Sequence, residues 1–213
     1  MHGPERQSIV EFSESRFPFR AWMENLWETT DLENLHTQFK VTLENYVASV
    51  RKFQRRCDDH AEEISGSVSR FLEEIVEPRL GKRIAHRQST PTFRAHFAIP
   101  GAELKEHERL AFELAPDAFL KKYYWREPQQ QLSGFHKDSS YGLPANAVNV
   151  WVALTDSYGT NSLWLANLED DKQVYPIEVS RGCALLFCGA SRLHGTVCNT
   201  SSKTRVSLDL RVL

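Results

Sequence analysis

The chain has 213 residues, of which 41% are hydrophobic, 25% charged and 11% aromatic. That composition suits one folded domain and excludes a fibre or a disordered tail. The 26 Lys and Arg against 28 Asp and Glu leave a net charge of −2, which argues against a broad nucleic-acid or anionic-membrane footprint. No apolar run, Cys183 to Phe187 included, approaches the roughly 18 residues of a membrane span. Met1 to Ser15 carries Glu5, Glu11 and Glu14 where a signal peptide would be apolar. Cys57, Cys183, Cys188 and Cys198 match no zinc spacing and read as reduced thiols. The expectation is a cytoplasmic protein, a single domain over residues 1–213, whose partner is a small molecule rather than nucleic acid or membrane.

Residues up to about 83 read as helical. Asp31 is an expected N-cap, and Leu32, Leu35, Phe39, Leu43, Tyr46, Val50 and Phe53 follow at steps of three or four, which puts them on one helical stripe. Ile64, Val68, Phe71, Leu72, Ile75 and Val76 form a second stripe, expected to end before Pro78 and Gly81. Two such stripes cannot bury each other completely, so the helices are expected to cover a sheet.

From about 84 the pattern changes to short strands between turn residues. The expected strands are Phe93 to Ile99, Lys121 to Trp125, Leu132 to His136, Asn146 to Thr155, Ser162 to Ala166, Val174 to Val179, Cys183 to Phe187, His194 to Cys198 and Arg205 to Val212. Breakers such as Pro100-Gly101, Gly142-Leu143-Pro144 and Arg181-Gly182 separate them. Spacers this short cannot hold crossover helices. The fold class is therefore mainly β with N-terminal helices: an antiparallel sandwich, jelly roll or barrel.

The candidate site starts from His136-Lys137-Asp138. Residues two apart on an extended chain share a face, so His136 and Asp138 can reach one metal ion. The pair is weak alone, where a surface loop is the favoured reading. His194 supplies a third ligand after the apolar Cys183 to Phe187 strand, and Arg205-Val206-Ser207 follows eleven residues later. Two imidazoles and one carboxylate cap one face of an octahedral ion and leave three positions open, the pattern of non-haem Fe(II) oxygenases. A structural zinc site would be closed by four ligands. A 2-oxo acid chelates iron through its keto oxygen and C1 carboxylate. Its far carboxylate then needs a planar charged fork, which Arg205 provides, and a hydroxyl donor, which Ser207 provides.

The run His136 to Gly142, then Asn149 to Asp156, Thr160 to Trp164, His194-Gly195 and Arg205-Val206-Ser207, resembles the Fe(II)/2-oxoglutarate-dependent oxygenases. Within them it is most similar to the phytanoyl-CoA-hydroxylase-like and streptomycin-biosynthesis-type groups. The resemblance covers about residues 90–213. It implies a double-stranded β-helix (a cupin-like jelly roll) over about 84–213, with helices on its outer face. It implies iron on His136, Asp138 and His194, and 2-oxoglutarate held by Arg205 with Ser207 and flanked by Trp151. The activity it implies uses O2 and releases succinate and CO2 while oxidising, most simply hydroxylating, an unactivated C–H bond; desaturation and cyclisation use the same ligands. The Gly-Ser-His stretch of the phytanoyl group is absent after Trp164, where Ala166-Asn167-Leu168-Glu169 stands. Asp138 speaks against a halogenase, which needs a small residue there.

Other residues are read more simply. Asn149 shares a strand face with Trp151 and is a candidate for the cosubstrate, or else an inward polar residue bonded to backbone. Asn161 is expected to fix a turn. Arg94 and His96 are read as solvated edge residues in preference to pocket wall, and Arg126 likewise. His2, His36, His60, His86 and His107 are expected at the surface, and Cys183, Cys188 and Cys198 in the core. The favoured substrate is a small polar metabolite of natural-product or amino-acid-derived biosynthesis. The alternative is a non-oxidative cupin-like isomerase or binding module, which would have no use for Arg205 and Ser207.

Overall fold

The computed structural model describes residues 7–42, 44–99, 135–167 and 174–213. The expected strand Lys121 to Trp125, most of Leu132 to His136, and Arg126, His2 and His107 lie outside the described residues.

Among the described residues two antiparallel sheets form the frame. The larger has the order β1-β6-β3-β8-β2 and the smaller β5-β4-β7, from β1 (Ser8–Glu11), β2 (Thr92–His96), β3 (Val148–Ala153), β4 (Leu163–Ala166), β5 (Val174–Ile177), β6 (Cys183–Phe187), β7 (His194–Gly195) and β8 (Arg205–Val212). After β3 the chain crosses to the smaller sheet for β4 and β5, returns for β6, crosses again for β7 and returns for β8. That alternation is a double-stranded β-helix, the fold the resemblance implied.

β8 shows why these residues make this layer. Val206, Leu208, Leu210 and Val212 alternate with Arg205, Ser207, Asp209 and Arg211, and a period of two sends the sets to opposite faces. The apolar set joins Val150, Val152 and Leu186 in a core with Phe17, Phe19, Phe53 and Phe71 of the helical segment. The polar set faces the interior of the roll. Part of that interior is apolar, filled by Trp151, Ala153, Leu163, Leu165, Leu185 and Phe187.

The helices do cover the larger sheet, but they differ from the expected stripes. α1 (Phe19–Trp27) is followed by a 3-10 turn at Leu32–Asn34, then α2 (Leu35–Gln38) and α3 (Tyr46–His60). The first stripe is thus broken. Lys40 takes a left-handed φ of 49°, and a reciprocal pair, Thr42 N to Asn45 Oδ1 and Asn45 N to Thr42 Oγ1, restarts the helix. Asp31 makes no capping bond to backbone. α4 (Ser65–Phe71) continues through a π-turn at Leu72–Val76 into α5 (Glu77–Leu80), so the second stripe passes Pro78 instead of stopping before it. The widened turn shifts the hydrogen-bond register just where the proline ring would collide with a normal one. Gly81, at φ 66°, ends the helix. β1 was not expected. Its four residues are alternately half-buried and exposed, too short and mixed to signal a strand, and its partner is the edge of β6.

Two contacts tie the helical layer to the strand that carries Arg205. Thr204 N donates to Glu33 O at 2.7 Å, and Thr204 Oγ1 pairs with His36 Nδ1 at 3.0 Å. His36 is therefore buried, 5% exposed, against the surface position expected for it; His60 and His86 are exposed. The expected core cysteines divide: Cys188 is buried, while Cys183 and Cys198 are half-buried.

Phe53 tests this packing. It is fully buried, stacked on Trp27 at 5.3 Å and edge-on to Phe97 at 6.2 Å. Phe53→Ala is expected to lower unfolding free energy by about 3–5 kcal/mol in urea titrations, through lost contact and a residual cavity.

Candidate active site

His136 and His194 face each other across a backbone pair. His136 N donates to His194 O at 2.9 Å and His194 N to His136 O at 3.0 Å, an isolated bridge that extends the smaller sheet beyond β7. Their rings lie 4.5 Å apart. Asp138 opens a one-turn 3-10 helix, Asp138–Tyr141, and its backbone N donates to Gly189 O at 2.8 Å. Asp138 Oδ1 is 3.4 Å from His136 Nε2 and 3.6 Å from His194 Nε2. All three ligand atoms lie within 4.8 Å of one another. Donors at right angles around an ion, with bonds of about 2.1 Å, sit about 3 Å apart. The two imidazole-to-carboxylate separations reach that spacing after a contraction of a few tenths of an ångström, and the three side chains are grouped to hold one metal ion.

The surroundings prepare each ligand. His194 Nδ1 donates to Arg192 O at 3.0 Å, which leaves the Nε2 lone pair directed at the site. Burial, aided by His136, lowers the His194 pKa to about 4, so the ring is neutral at physiological pH. Asp138 is 1% exposed. Burial opposes its ionisation, but hydrogen bonds from His136 and Asn149 and the charge of Arg211 outweigh that and hold it well below the usual carboxylate range. Asn149 Nδ2 donates to Asp138 Oδ2 at 2.7 Å, and Asn149 Oδ1 accepts from Gly189 N at 3.0 Å. The amide is thus engaged by the carboxylate and by backbone. A Cβ on Gly189 would fall 2.6–2.7 Å from Asn149 and Asp138 side-chain atoms, so only glycine fits there. A Cβ on Gly195 would fall 2.9 Å from Phe135 atoms.

A cavity of about 490 Å3 extends from these ligands between the sheets. Arg205 lines it and is 2% exposed. Its guanidinium carbon lies 5.3 Å from the centroid of the Trp151 ring. Among the described residues its Nε and Nη1 have no hydrogen-bond partner, and neither does Ser207 Oγ. Burial lowers the Arg205 pKa to about 10, which still leaves the guanidinium charged at neutral pH. A buried cation with empty donors is costly unless an anion meets it.

Several cavity residues were missed or misread in the sequence. Arg94 and His96 line the cavity, a correction to the edge reading. They share a face of β2, and that face is the inside of the roll. His96 is 5% exposed, and Tyr46 Oη lies 3.0 Å from its Nδ1. Arg211 reaches both Asp138 oxygens, at 3.3 and 3.5 Å. Asp209 accepts from Arg94 at 3.1 Å and Arg211 at 3.3 Å. The alternation that links Arg205 with Ser207 also points to Asp209 and Arg211. Tyr46 and Gln54 of α3 had no linear signal. Asn161 closes its turn as expected, accepting from Tyr158 N at 2.7 Å.

No protein-family model matches the chain. The streptomycin biosynthesis protein StrG of Streptomyces griseus is 31% identical over 142 residues, covering 62% of this chain and 68% of that protein. Solved structures give more distant likenesses. The non-heme monooxygenase ThoJ, as a nickel complex, is 23% identical over 38% of this chain and 37% of its own, with a TM-score of 0.33. The prolyl hydroxylase of Trichoplax adhaerens, in complex with a hypoxia inducible factor peptide fragment, is 14% identical over 97% of this chain and 83% of its own, with a TM-score of 0.43. The chain thus spans well under two thirds of ThoJ.

Two predictions follow from the geometry. Asn149→Ala frees one Asp138 oxygen to rotate, so Ni(II) affinity measured by calorimetry is expected to fall about 10–100-fold. The second concerns His96, whose pKa is lowered to about 3 by burial, with Arg205 adding to the effect. Below its ordinary value of 6.5 the unfolded chain binds a proton that the folded chain refuses. Stability contributed there is present above pH 6.5 and falls as pH drops toward 3, by about 1.4 kcal/mol per unit. In urea titrations between pH 7 and 5, wild type should lose more stability than His96→Phe.

Proposed function

The chain belongs to the family of the streptomycin biosynthesis protein StrG, and from that premise we propose that it is an Fe(II)- and 2-oxoglutarate-dependent oxygenase acting on a small polar metabolite, most simply as a hydroxylase. The observation that carries this reading is Arg205. A buried guanidinium with two N–H sites unpaired among the described residues lines the same cavity as a two-histidine, one-carboxylate set, and the equally unpaired Ser207 hydroxyl lies two residues along the same strand face. A cupin-like isomerase has no need of a buried, unpaired arginine there.

In this reading His136, Asp138 and His194 hold Fe(II). When bound, the iron and 2-oxoglutarate supply the oxidation by O2, with succinate and CO2 as coproducts. The chain's own residues bind and orient. Arg205 and Ser207 take the far carboxylate of 2-oxoglutarate, and Trp151 backs the guanidinium and fixes its plane. Asn149 holds the second Asp138 oxygen and Arg211 bridges both, which leaves the oxygen beside His136 and His194 to face the metal. Phe187, packed edge-on to His194 at 5.2 Å, and Leu163 help keep water from the inner wall. The shared core of helices and strands supports our further proposal that residues 1–213 act as one domain. Among the described residues no helix is long and apolar enough to cross a membrane.

Purified protein given Fe(II), ascorbate, O2 and 2-oxoglutarate is expected to release succinate, faster when a screened metabolite is a substrate. Arg205→Ala is expected to weaken 2-oxoglutarate binding at least tenfold while leaving Fe(II) affinity within about twofold. Equal loss of both, or no succinate under any condition, contradicts the reading.

A further inference from the structure

The end of the cavity around Arg205 holds one more unpaired polar atom than the proposed chemistry uses. His96 stands directly opposite Arg205 in the β2–β8 register, and opposed residues of an antiparallel pair project from the same face about 5 Å apart. Both line the cavity. Like Arg205 Nε and Nη1 and Ser207 Oγ, His96 Nε2 is buried and makes no hydrogen bond of good geometry among the described residues, although the Val197 and Thr160 backbone lies near enough to the ring to favour its protonated form slightly. Four such atoms lie on two neighbouring strands in register, and they form one donor set provided that His96 carries its hydrogen on Nε2.

Tyr46 decides that. Its hydroxyl lies 3.0 Å from His96 Nδ1. A phenol that keeps its hydrogen can donate to Nδ1, and this forces the imidazole hydrogen onto Nε2. Burial pushes the Tyr46 pKa up, so its hydrogen stays in place, and burial keeps His96 neutral. In the opposite tautomer Nε2 would present a lone pair to an anion, which is repulsive. Tyr46 lies on α3, so a helix outside the strand motifs reaches the wall of the site.

We propose that His96 is a third donor to the far carboxylate of 2-oxoglutarate, its Nε2–H completing the grip of Arg205 and Ser207, and that Tyr46 is the positioning residue that fixes its tautomer. This rests on the cavity's being a 2-oxoglutarate site. The consequence is discrimination: a 2-oxo acid without a second carboxylate, such as 2-oxobutyrate, leaves all of these donors unpaired.

Calorimetry on the full chain loaded with Ni(II), with 2-oxoglutarate and 2-oxobutyrate as the two probes, tests the assignment. His96→Phe keeps a ring and removes the donor. It is expected to weaken 2-oxoglutarate about tenfold while 2-oxobutyrate affinity stays within twofold. Tyr46→Phe should weaken 2-oxoglutarate severalfold with the same selectivity, and His96→Gln, whose amide can donate, should restore most of the loss. A merely structural role would weaken both acids alike, and that result overturns the proposal. So does unchanged 2-oxoglutarate binding in His96→Phe and Tyr46→Phe when wild type binds it well. Wild-type protein that binds Ni(II) but not 2-oxoglutarate overturns the oxygenase reading itself.

Discussion

A carboxylate held almost completely out of water beside two imidazoles is the constraint on which the rest of the site depends. Asp138 meets His136 and His194 on one oxygen, Asn149 reaches the other, and Arg211 reaches both. Removing a charge from water is expensive, and only dense pairing compensates for it. That pairing requires a backbone bridge between His136 and His194, a glycine at 189, and strands β3 and β8 in register, Asn149 opposite Arg211. The roll, seen this way, is the frame that lets one anion stay buried and ready for a cation.

The second half of the site has the opposite imbalance. Arg205 Nε and Nη1, Ser207 Oγ and His96 Nε2 are buried and unpaired among the described residues. An unpaired buried polar group costs about 1–3 kcal/mol, so a fold keeps several together only where a ligand completes them. The metal-ligand end holds an anion that wants a cation, and the far end holds donors that want an anion. A metal ion chelated by a diacid satisfies both at once.

Much of this was legible in the sequence. His136, Asp138, His194, Arg205 and Ser207 stand out because strand alternation puts chemically matched side chains on one face. The bounds Cys183–Phe187 and Arg205–Val212 were readable because apolar runs and turn residues frame them. The helical stripes located a covering layer, but not the left-handed break at Lys40 or the π-turn that carries the helix past Pro78, since both depend on local backbone geometry. His96 and Arg94 were misread because a lone strand does not tell its inner face from its outer one. Only pairing with β8 decides that. Tyr46 was invisible as a site residue because its partner is 50 positions away.

The most direct measurement is an anomalous difference map from crystals grown with Fe(II) and 2-oxoglutarate without oxygen. The account predicts one iron peak bonded to His136 Nε2, His194 Nε2 and Asp138 Oδ1 at about 2.1 Å, with the far carboxylate of the diacid on Arg205. Iron elsewhere, or a diacid whose far carboxylate avoids Arg205, would contradict it.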